Sequence, residues 1–555
     1  MNPKIKLKNL TRCPDHPEAV ASQWVGIKSR PSLIGALFSV LLLFSPQAVL
    51  HAQTSSPRPN IVFILADDVG WRDLGCYGTR FYETPNIDRL AERGVRFVNA
   101  YAANPFCSPT RASILTGLYP ARIGLTSASG HAEGVNLQKQ LFPSRPPRYR
   151  LITPRPITRL DTSYLTMAEA FKREGYATAH IGKWHLGAEP YSPLQQGYDR
   201  DIPHTSAAFP PLPDPPVSNK YSGGGGYINS PLISRSGLPV RANEHLEDRM
   251  AEEAANWIRS NRSRPFFLSY WAFSAHGPHG GKADYINAFQ DKSQADEPQR
   301  NPVYAAMVKS LDDAVGRIIE TLDNLNLTNQ TIIVFTSDNG GQISPIKKVK
   351  ANQPWYQVPV TSNDPLRGGK GSIWEGGTRV PAIISYPGTL PTNRVSAALL
   401  SSVDYYPTLV ALCGLRLPDL KLDGVSQRPA LLRASISPSK QLVSAKVPPK
   451  KSPRTEIYNI YAHGEQPAAS VRVGDLKLVR FFCRNKDFSD HFEMYDLSKD
   501  PGEKVNIFPD SQQGESLQDK LSTWLEHTGA ILPIRNPQWN GAGPTADEEH
   551  DDQEP

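Results

Sequence analysis

The sequence predicts an α/β fold, with a mostly parallel sheet flanked by helices and a smaller C-terminal α+β subdomain of antiparallel sheet plus helix. From Asn60 onward short apolar runs alternate with segments at helical spacing, and several of those runs stop at polar residues. After about Arg433 the pattern changes to shorter, hairpin-like pieces. With 555 residues, 39% of them hydrophobic, the chain can bury a large core, which excludes a small disulfide scaffold and a wholly disordered chain. No repeat is visible, and no apolar run outside the N-terminal stretch reaches the roughly 18–20 residues of a membrane span.

The N-terminal stretch carries Lys4, Lys6, Lys8, Arg12, Lys28 and Arg30, then the apolar block Leu33 to Phe44, then Pro46 and a small-residue end at Ala52. A basic region, a short apolar block and a small-residue site read as a secretory signal over residues 1–52, so the chain is expected to be exported, to a periplasm, the exterior or a lysosome. Removing those residues takes away six basic side chains against Asp15 and Glu18, and the formal net charge falls from +7 to +3. The basic balance is thus largely a targeting feature and no argument for nucleic-acid binding, and no stable membrane span is expected after signal removal. Of five cysteines, Cys13 leaves with the signal. Cys76, Cys107, Cys413 and Cys483 are too few for a disulfide framework and lack zinc spacing.

Residues 53–433 read as the catalytic domain. Asn60 to Ala66 is continuously apolar, as in a strand buried on both faces, and ends at Asp67-Asp68. Thr84-Pro85 opens a helix with Ile87, Leu90 and Ala91 on one face and Gly94 at its end. Thr166 to Glu169 is a capping box before a helix closed by Gly175, and Ala177 to Gly182 is the next strand. Pro265 to Trp271 and Thr331 to Ser337 are further strands. Between them Met307, Leu311, Ile318 and Leu322 place a crossover helix over Pro302 to Leu325. Residues 434–454, rich in Ser, Pro and Lys, suit a linker or exposed loop. In the C-terminal subdomain, 455–535, Ser470 to Val473 and Leu476 to Phe482 flank Gly474-Asp475 as a hairpin. Phe492 to Leu497 is a strand, and Leu517, Leu521, Trp524 and Leu525 mark a closing helix. The tail, 536–555, is acidic, with no apolar periodicity from Gly541 on.

Four of these strands end in, or soon precede, polar residues: Asp67-Asp68, Lys183 with His185, His276, and Asp338-Asn339. In an open α/β sheet ligands sit beyond the carboxyl ends of the strands, so these groups could converge. Three carboxylates and an amide oxygen are hard ligands that suit Ca²⁺ or Mg²⁺ better than zinc. Taken singly, any one Asp-Asp or Asp-Asn would as readily be a turn or a helix cap. Lys183 and His185 sit two apart, so an extended chain would point both to one side.

The segment Asn104-Pro-Phe-Cys107-Ser-Pro-Thr-Arg111-Ala-Ser-Ile-Leu-Thr-Gly117 goes further. Together with Gly182-Lys-Trp-His-Leu-Gly187 and Asp338-Asn-Gly-Gly341 it resembles the type I sulfatases, in the arylsulfatase branch that includes N-acetylgalactosamine-6-sulfatase. The resemblance runs from Asn60 to about Leu525. It implies an alkaline-phosphatase-like sheet and the oxidation of Cys107 to Cα-formylglycine by a formylglycine-generating enzyme. Of the two hydroxyls of the hydrated aldehyde, one attacks sulfur and the other later loses its proton to expel sulfate. A helix over Ser108 to Thr116 would aim free N–H groups and its positive dipole end at the anion. The resemblance carries over Asp67, Asp68, Asp338 and Asn339 as calcium ligands, completed by an oxygen of residue 107. It makes Arg111 the holder of the hydrate, Lys183 and Lys370 the sulfate-binding cations, and His185 the base. His276, in Ser-Ala-His-Gly-Pro, matches the general acid, with His279 as competitor. The region around His204 departs from the family pattern, and His204 is left as a candidate substrate contact.

The expected activity is calcium-dependent hydrolysis of sulfate esters on a sulfated carbohydrate. The rivals are a phosphate or phosphonate monoester hydrolase of the same superfamily and a non-catalytic sulfoglycan-binding protein in which Cys107 never matures. Lys139, Arg145, Arg148, Arg150, Arg155 and Arg159 lie in a stretch without acidic residues, which suits steering of a polyanion or an ordinary solvated loop equally well.

Overall fold

The computed structural model describes residues 58–211, 226–292, 298–345, 358–435, 452–464, 466–509 and 512–541. The expected secretory signal, residues 436–451 of the expected linker and the part of the expected tail from 542 onward lie outside the described residues. The strands run in chain order β1 (Asn60–Ala66), β2 (Gly94–Tyr101), β3 (Leu151–Ile152), β4 (Ala177–Gly182), β5 (Arg200–Ile202), β6 (Phe266–Trp271) and β7 (Thr331–Ser337). They continue with β8 (Ala382–Ser385), β9 (Arg394–Ser401), β10 (Glu456–Tyr461), β11 (Ala468–Val473), β12 (Leu476–Phe481), β13 (His491–Asp496) and β14 (Ile534–Arg535).

Eight of them form one sheet in the order β5-β4-β6-β1-β7-β8-β2-β9. β1 pairs in parallel with β6 and β7, β4 with β5 and β6, and β2 with β9; β8 alone runs antiparallel to its neighbours. The expected mostly parallel sheet is therefore present, and the carboxyl ends of β1, β2, β4, β6 and β7 open on one edge.

The apolar run of β1 is explained by its two buried faces. Val62, Ile64 and Ala66 pack with the helices Leu246–Asn261 and Pro302–Asn324, while Ile61, Phe63 and Leu65 pack with Ala112, Ile114 and Leu115 of the helix Cys107–Thr116. The crossover helix Pro302–Asn324 starts where Asn301 accepts from the N–H groups of Val303 and Tyr304.

Gly94 does not end the helix Pro85–Glu92, as expected; Arg93 follows that helix and Gly94 opens β2. A Cβ at Gly94 would stand 2.6 Å from the Ile384 carbonyl oxygen, so close pairing with β8 requires glycine here.

The C-terminal sheet, β10-β11-β12-β13, is antiparallel, with Val473 opposite Leu476 across the Gly474-Asp475 turn. Leu517, Leu521, Trp524 and Leu525 of the helix Gln512–Thr528 close its core with Ile460, Val471, Leu478 and Met494. Both sheets belong to one compact unit, and Asn104, just before Cys107, donates to the Ile460 carbonyl at 2.7 Å.

The capping box is formed: Thr166 Oγ1 accepts from the Glu169 N–H at 3.1 Å, and Glu169 Oε2 accepts from the Thr166 N–H at 2.8 Å. Thr166→Ala should destabilise the fold by about 1–2 kcal/mol, read as a lower urea midpoint with unchanged m-value.

Candidate active site

Residue 107 is the first residue of a wholly buried helix, Cys107–Thr116, which follows β2. Its thiol lies 3.6 Å from Asp67 Oδ1 at the end of β1. Burial pushes the thiol well above its ordinary pKa; Lys183 works against this and Asp338 adds to it. Only a thiolate is an effective nucleophile, so unmodified Cys107 is an inert group at a position surrounded by charged side chains.

Two acids next to β1 and one after β7 meet three cations here. Lys183 Nζ lies 2.6 Å from Asp67 Oδ2, and Lys370 Nζ lies 3.0 Å from Asp68 Oδ2. Arg111, one turn into the helix, donates through Nε at 3.0 Å and through a terminal nitrogen at 2.7 Å to Asp338 Oδ2. It also donates to the Lys183 carbonyl at 2.7 Å. Both ends of the Arg111–Asp338 and Lys183–Asp67 pairs are fully buried. Burying charges without partners is strongly unfavourable, so each member fixes the next.

Burial and the facing Asp67 carboxylate push Asp338 up to about 6 in spite of Arg111 beside it. Burial opposes the Arg111 charge, but Asp338 and Asp67 outweigh it and raise that pKa. At Asp68 burial is outweighed by Lys370, His276 and Lys183, which hold the carboxyl well below its usual range.

Asp68 sits in the left-handed region, with φ 60°, which costs a non-glycine residue strain and is held by its surroundings. Its N–H donates to Asp338 Oδ1 at 3.2 Å, its Oδ1 accepts from the Asn339 amide at 2.7 Å, and its carbonyl accepts from Tyr304 at 3.0 Å. The same Tyr304 hydroxyl lies 2.6 Å from the buried Asp73 carboxylate, so its single proton is shared between the two acceptors. Nothing in the sequence signals this support, because Tyr304 reads only as one residue of the crossover helix.

Carboxylate oxygens of Asp67 and Asp68, Cys107 Sγ and a His276 ring nitrogen lie within 4.8 Å of one another, a grouping able to hold a metal ion. Asn339 Oδ1, beside Asp68, is buried with no hydrogen-bond partner among the described residues. Asp338, by contrast, is turned to Arg111 and the Asp68 N–H. His276 joins this grouping, where the family resemblance implies a general acid. Its Nδ1 donates to the Gly277 carbonyl at 2.6 Å, and its Nε2 faces Lys370 Nζ at 2.8 Å. Burial, Lys370 and Lys183 lower its pKa to about 3. His279 is also held low, to about 4, chiefly by burial, and its Nε2 is buried without a partner among the described residues. The exposed ring of Phe209 lies parallel to His276 with centroids 6.2 Å apart, a neighbour that sequence reasoning did not find.

Lys183 points into the cluster and His185 lies within electrostatic reach of Lys183, Arg111 and His276, but not by extension of a strand. β4 ends at Gly182, and His185 has φ 58°, so a turn and not strand alternation places them. Burial, Lys183 and His131 lower the His185 pKa well below its ordinary value. His204 is half-exposed and held by Asp201 at 2.8 Å and Glu189 at 3.2 Å, with no contact to the cluster among the described residues.

The basic run splits. Lys139 donates to the carbonyls of Ala121, Arg122 and Thr528, and buried Arg159 donates to those of Thr158, Ala132 and Glu133, so both serve structure. Arg145 and Arg148 stack on Tyr149 and Arg150 on Phe488. Cys76, Cys107, Cys413 and Cys483 are all free thiols.

Residues 59–415 match the family model described as Sulfatase, and residues 369–530 match that described as N-sulphoglucosamine sulphohydrolase, C-terminal. The chain is 30% identical over 512 residues to N-acetylgalactosamine-6-sulfatase of Homo sapiens, an alignment covering 88% of this chain and 89% of that one. It is 32% identical over 485 residues to arylsulfatase A of Homo sapiens, covering 81% and 83% of the two chains. The solved structure of Ps i-CgsB in complex with k-i-k-neocarrahexaose is similar at a TM-score of 0.62 and 26% identity, over 88% of this chain and 96% of that one. With the matched residues spanning β1 to β9 and every charged group of the cluster, the chain belongs to the sulfatase family and is a sulfuric ester hydrolase.

Proposed function

We propose that this sulfatase is an exported, calcium-dependent enzyme that hydrolyses sulfate esters of a sulfated carbohydrate, with Cys107 converted to Cα-formylglycine by a formylglycine-generating enzyme. The observation that carries the reading is the setting of Cys107. Its thiol is held protonated by burial, yet it stands at a helix N-terminus beside Asp67 with Arg111, Lys183 and Lys370 around it. A hydrated aldehyde at this position supplies hydroxyl nucleophiles that the thiol does not.

Three carboxylates, Asp67, Asp68 and Asp338, balance the three cations, so a dication is what makes the site attractive to an anionic ester. Hard oxygen donors and the unpartnered Asn339 Oδ1 fit Ca²⁺, which would be held by Asp67, Asp68, Asp338, Asn339 and residue 107. Bound there, the ion would supply Lewis acidity that neutralises charge on the sulfuryl oxygens. Arg111 orients residue 107, and Lys183 and Lys370 bind the sulfate oxygens. His185, held neutral, accepts a proton. His276 donates one to the leaving alcohol; negative charge brought beside Lys370 by the ester favours the proton on His276 Nε2 that those cations otherwise repel. The carbohydrate reading draws support from Ps i-CgsB, whose structure holds k-i-k-neocarrahexaose, and from the N-acetylgalactosamine-6-sulfatases. Export is supported by the basic and apolar N-terminal pattern.

Assay of the purified, matured enzyme on defined sulfated oligosaccharides and on aryl sulfate and aryl phosphate esters tests the reading. Desulfation of an oligosaccharide is expected; phosphate hydrolysis with every sulfated sugar untouched would overturn it. The two candidate acids separate by leaving group. His276→Ala should lower kcat on a sugar sulfate by about 10²–10⁴-fold and on an activated nitrophenyl sulfate far less, because a good leaving group carries its own charge. His279→Ala should show no such dependence. The opposite pattern would move the acid to His279.

A further inference from the structure

His185 does not stand alone. His131 Nδ1 lies 2.8 Å from His185 Nε2, and the two rings are 5.0 Å apart, tilted by 36°. The segment carrying His131 is fitted to His185 through its backbone. Ser108 Oγ, adjacent to residue 107, donates to the His185 carbonyl at 2.8 Å and accepts from the Gly130 N–H at 3.2 Å. A Cβ at Gly130 would stand 1.7 Å from the His185 carbonyl oxygen, so only glycine lets the segment lie this close. On the far side Arg159 binds the Ala132 and Glu133 carbonyls, and Ser129 Oγ donates to the Ile157 carbonyl at 2.8 Å.

We infer that His131 is a positioning residue for His185: its Nδ1 accepts the His185 Nε2–H, which fixes the ring and leaves His185 Nδ1 as the nitrogen with the free lone pair. His185 Nδ1 is buried and has no hydrogen-bond partner among the described residues. Burial, Lys183, His131 and Arg111 disfavour the doubly protonated ring, so one of its two nitrogens keeps a lone pair. With the other tautomer, His185 would present an N–H at Nδ1 and have no basic nitrogen for the reaction. His131 thus does for His185 what the hydrogen-bonded partner of any catalytic histidine does, selecting which nitrogen carries the proton. The assignment rests on His185 being the base.

The test is a kinetic cycle on enzyme whose residue 107 has been verified as matured: His131→Ala, His131→Asn, His185→Ala and the double variant His131→Ala/His185→Ala, each checked for an unchanged Tm. His131→Ala should lower kcat by about 10–100-fold with KM nearly constant. His131→Asn, whose Oδ1 replaces Nδ1 on the same carbon, should recover most of that loss. On the His185→Ala background the His131→Ala change should cost nothing further, since the partner it orients is gone. Wild-type kcat in His131→Ala, no recovery with Asn, or an equal loss on both backgrounds would overturn the inference. Wild-type kcat in His185→Ala would instead remove the base assignment beneath it.

Discussion

Cys107→Ala is expected to abolish turnover while the protein still folds. Ala keeps the start of the helix Cys107–Thr116 but offers no atom to oxidise and no nucleophile, and loss of a nucleophile costs on the order of 10⁴-fold or more in kcat. Removing one buried sulfur should lower stability by only about 1 kcal/mol, because the side chain is small and, among the described residues, its one hydrogen bond is the long one to Asp67. Cys107→Ser should be as inactive as Ala in a host that does not convert serine, although its hydroxyl occupies the same place. Steady-state rates of the two variants, with Tm as the fold control, give the result. Substantial activity in either variant would mean that residue 107 is not the reacting group.

Asp68→Ala should have the next largest effect. It removes an anionic oxygen donor from the grouping of Asp67, Asp68 and Cys107, and it strips Lys370 of its carboxylate partner at 3.0 Å. Activity should fall by at least about 10²–10³-fold, as when a preorganised electrostatic group is deleted. Bound calcium, measured on the purified protein, should fall with it, and added Ca²⁺ should restore activity only in part. Asp338→Ala should behave similarly but also leave Arg111 as a buried charge with its main partner gone, so it should lose stability as well. Full activity of the wild-type enzyme after chelation that leaves no bound ion would contradict a catalytic metal.

Much of this site could be read from sequence because strand ends announce themselves. An apolar run that stops at Asp67-Asp68, or at Asp338-Asn339, needs only the parallel sheet to bring its polar end to the common edge, and β1 paired with β7 does so with Ala66 opposite Ser337. The β2–β8 pairing was not legible. β8 has four residues, β2 mixes Arg96 and Asn99 into its run, and the glycine that looked like a helix stop is needed for close strand contact. Lys183 and His185 were assigned to one face by strand alternation, yet a left-handed residue at His185 places them. His131 gave no sequence signal at all. It is an isolated histidine in a loop, and it meets His185 only because Gly130, Ser108 and Arg159 dock that loop.

The most direct measurement is the mass of the peptide from Phe106 to Arg111, taken from enzyme of known specific activity. The account predicts an aldehyde mass at residue 107 in a fraction that tracks activity from one preparation to the next. Fully active enzyme in which that peptide carries only unmodified cysteine would contradict it.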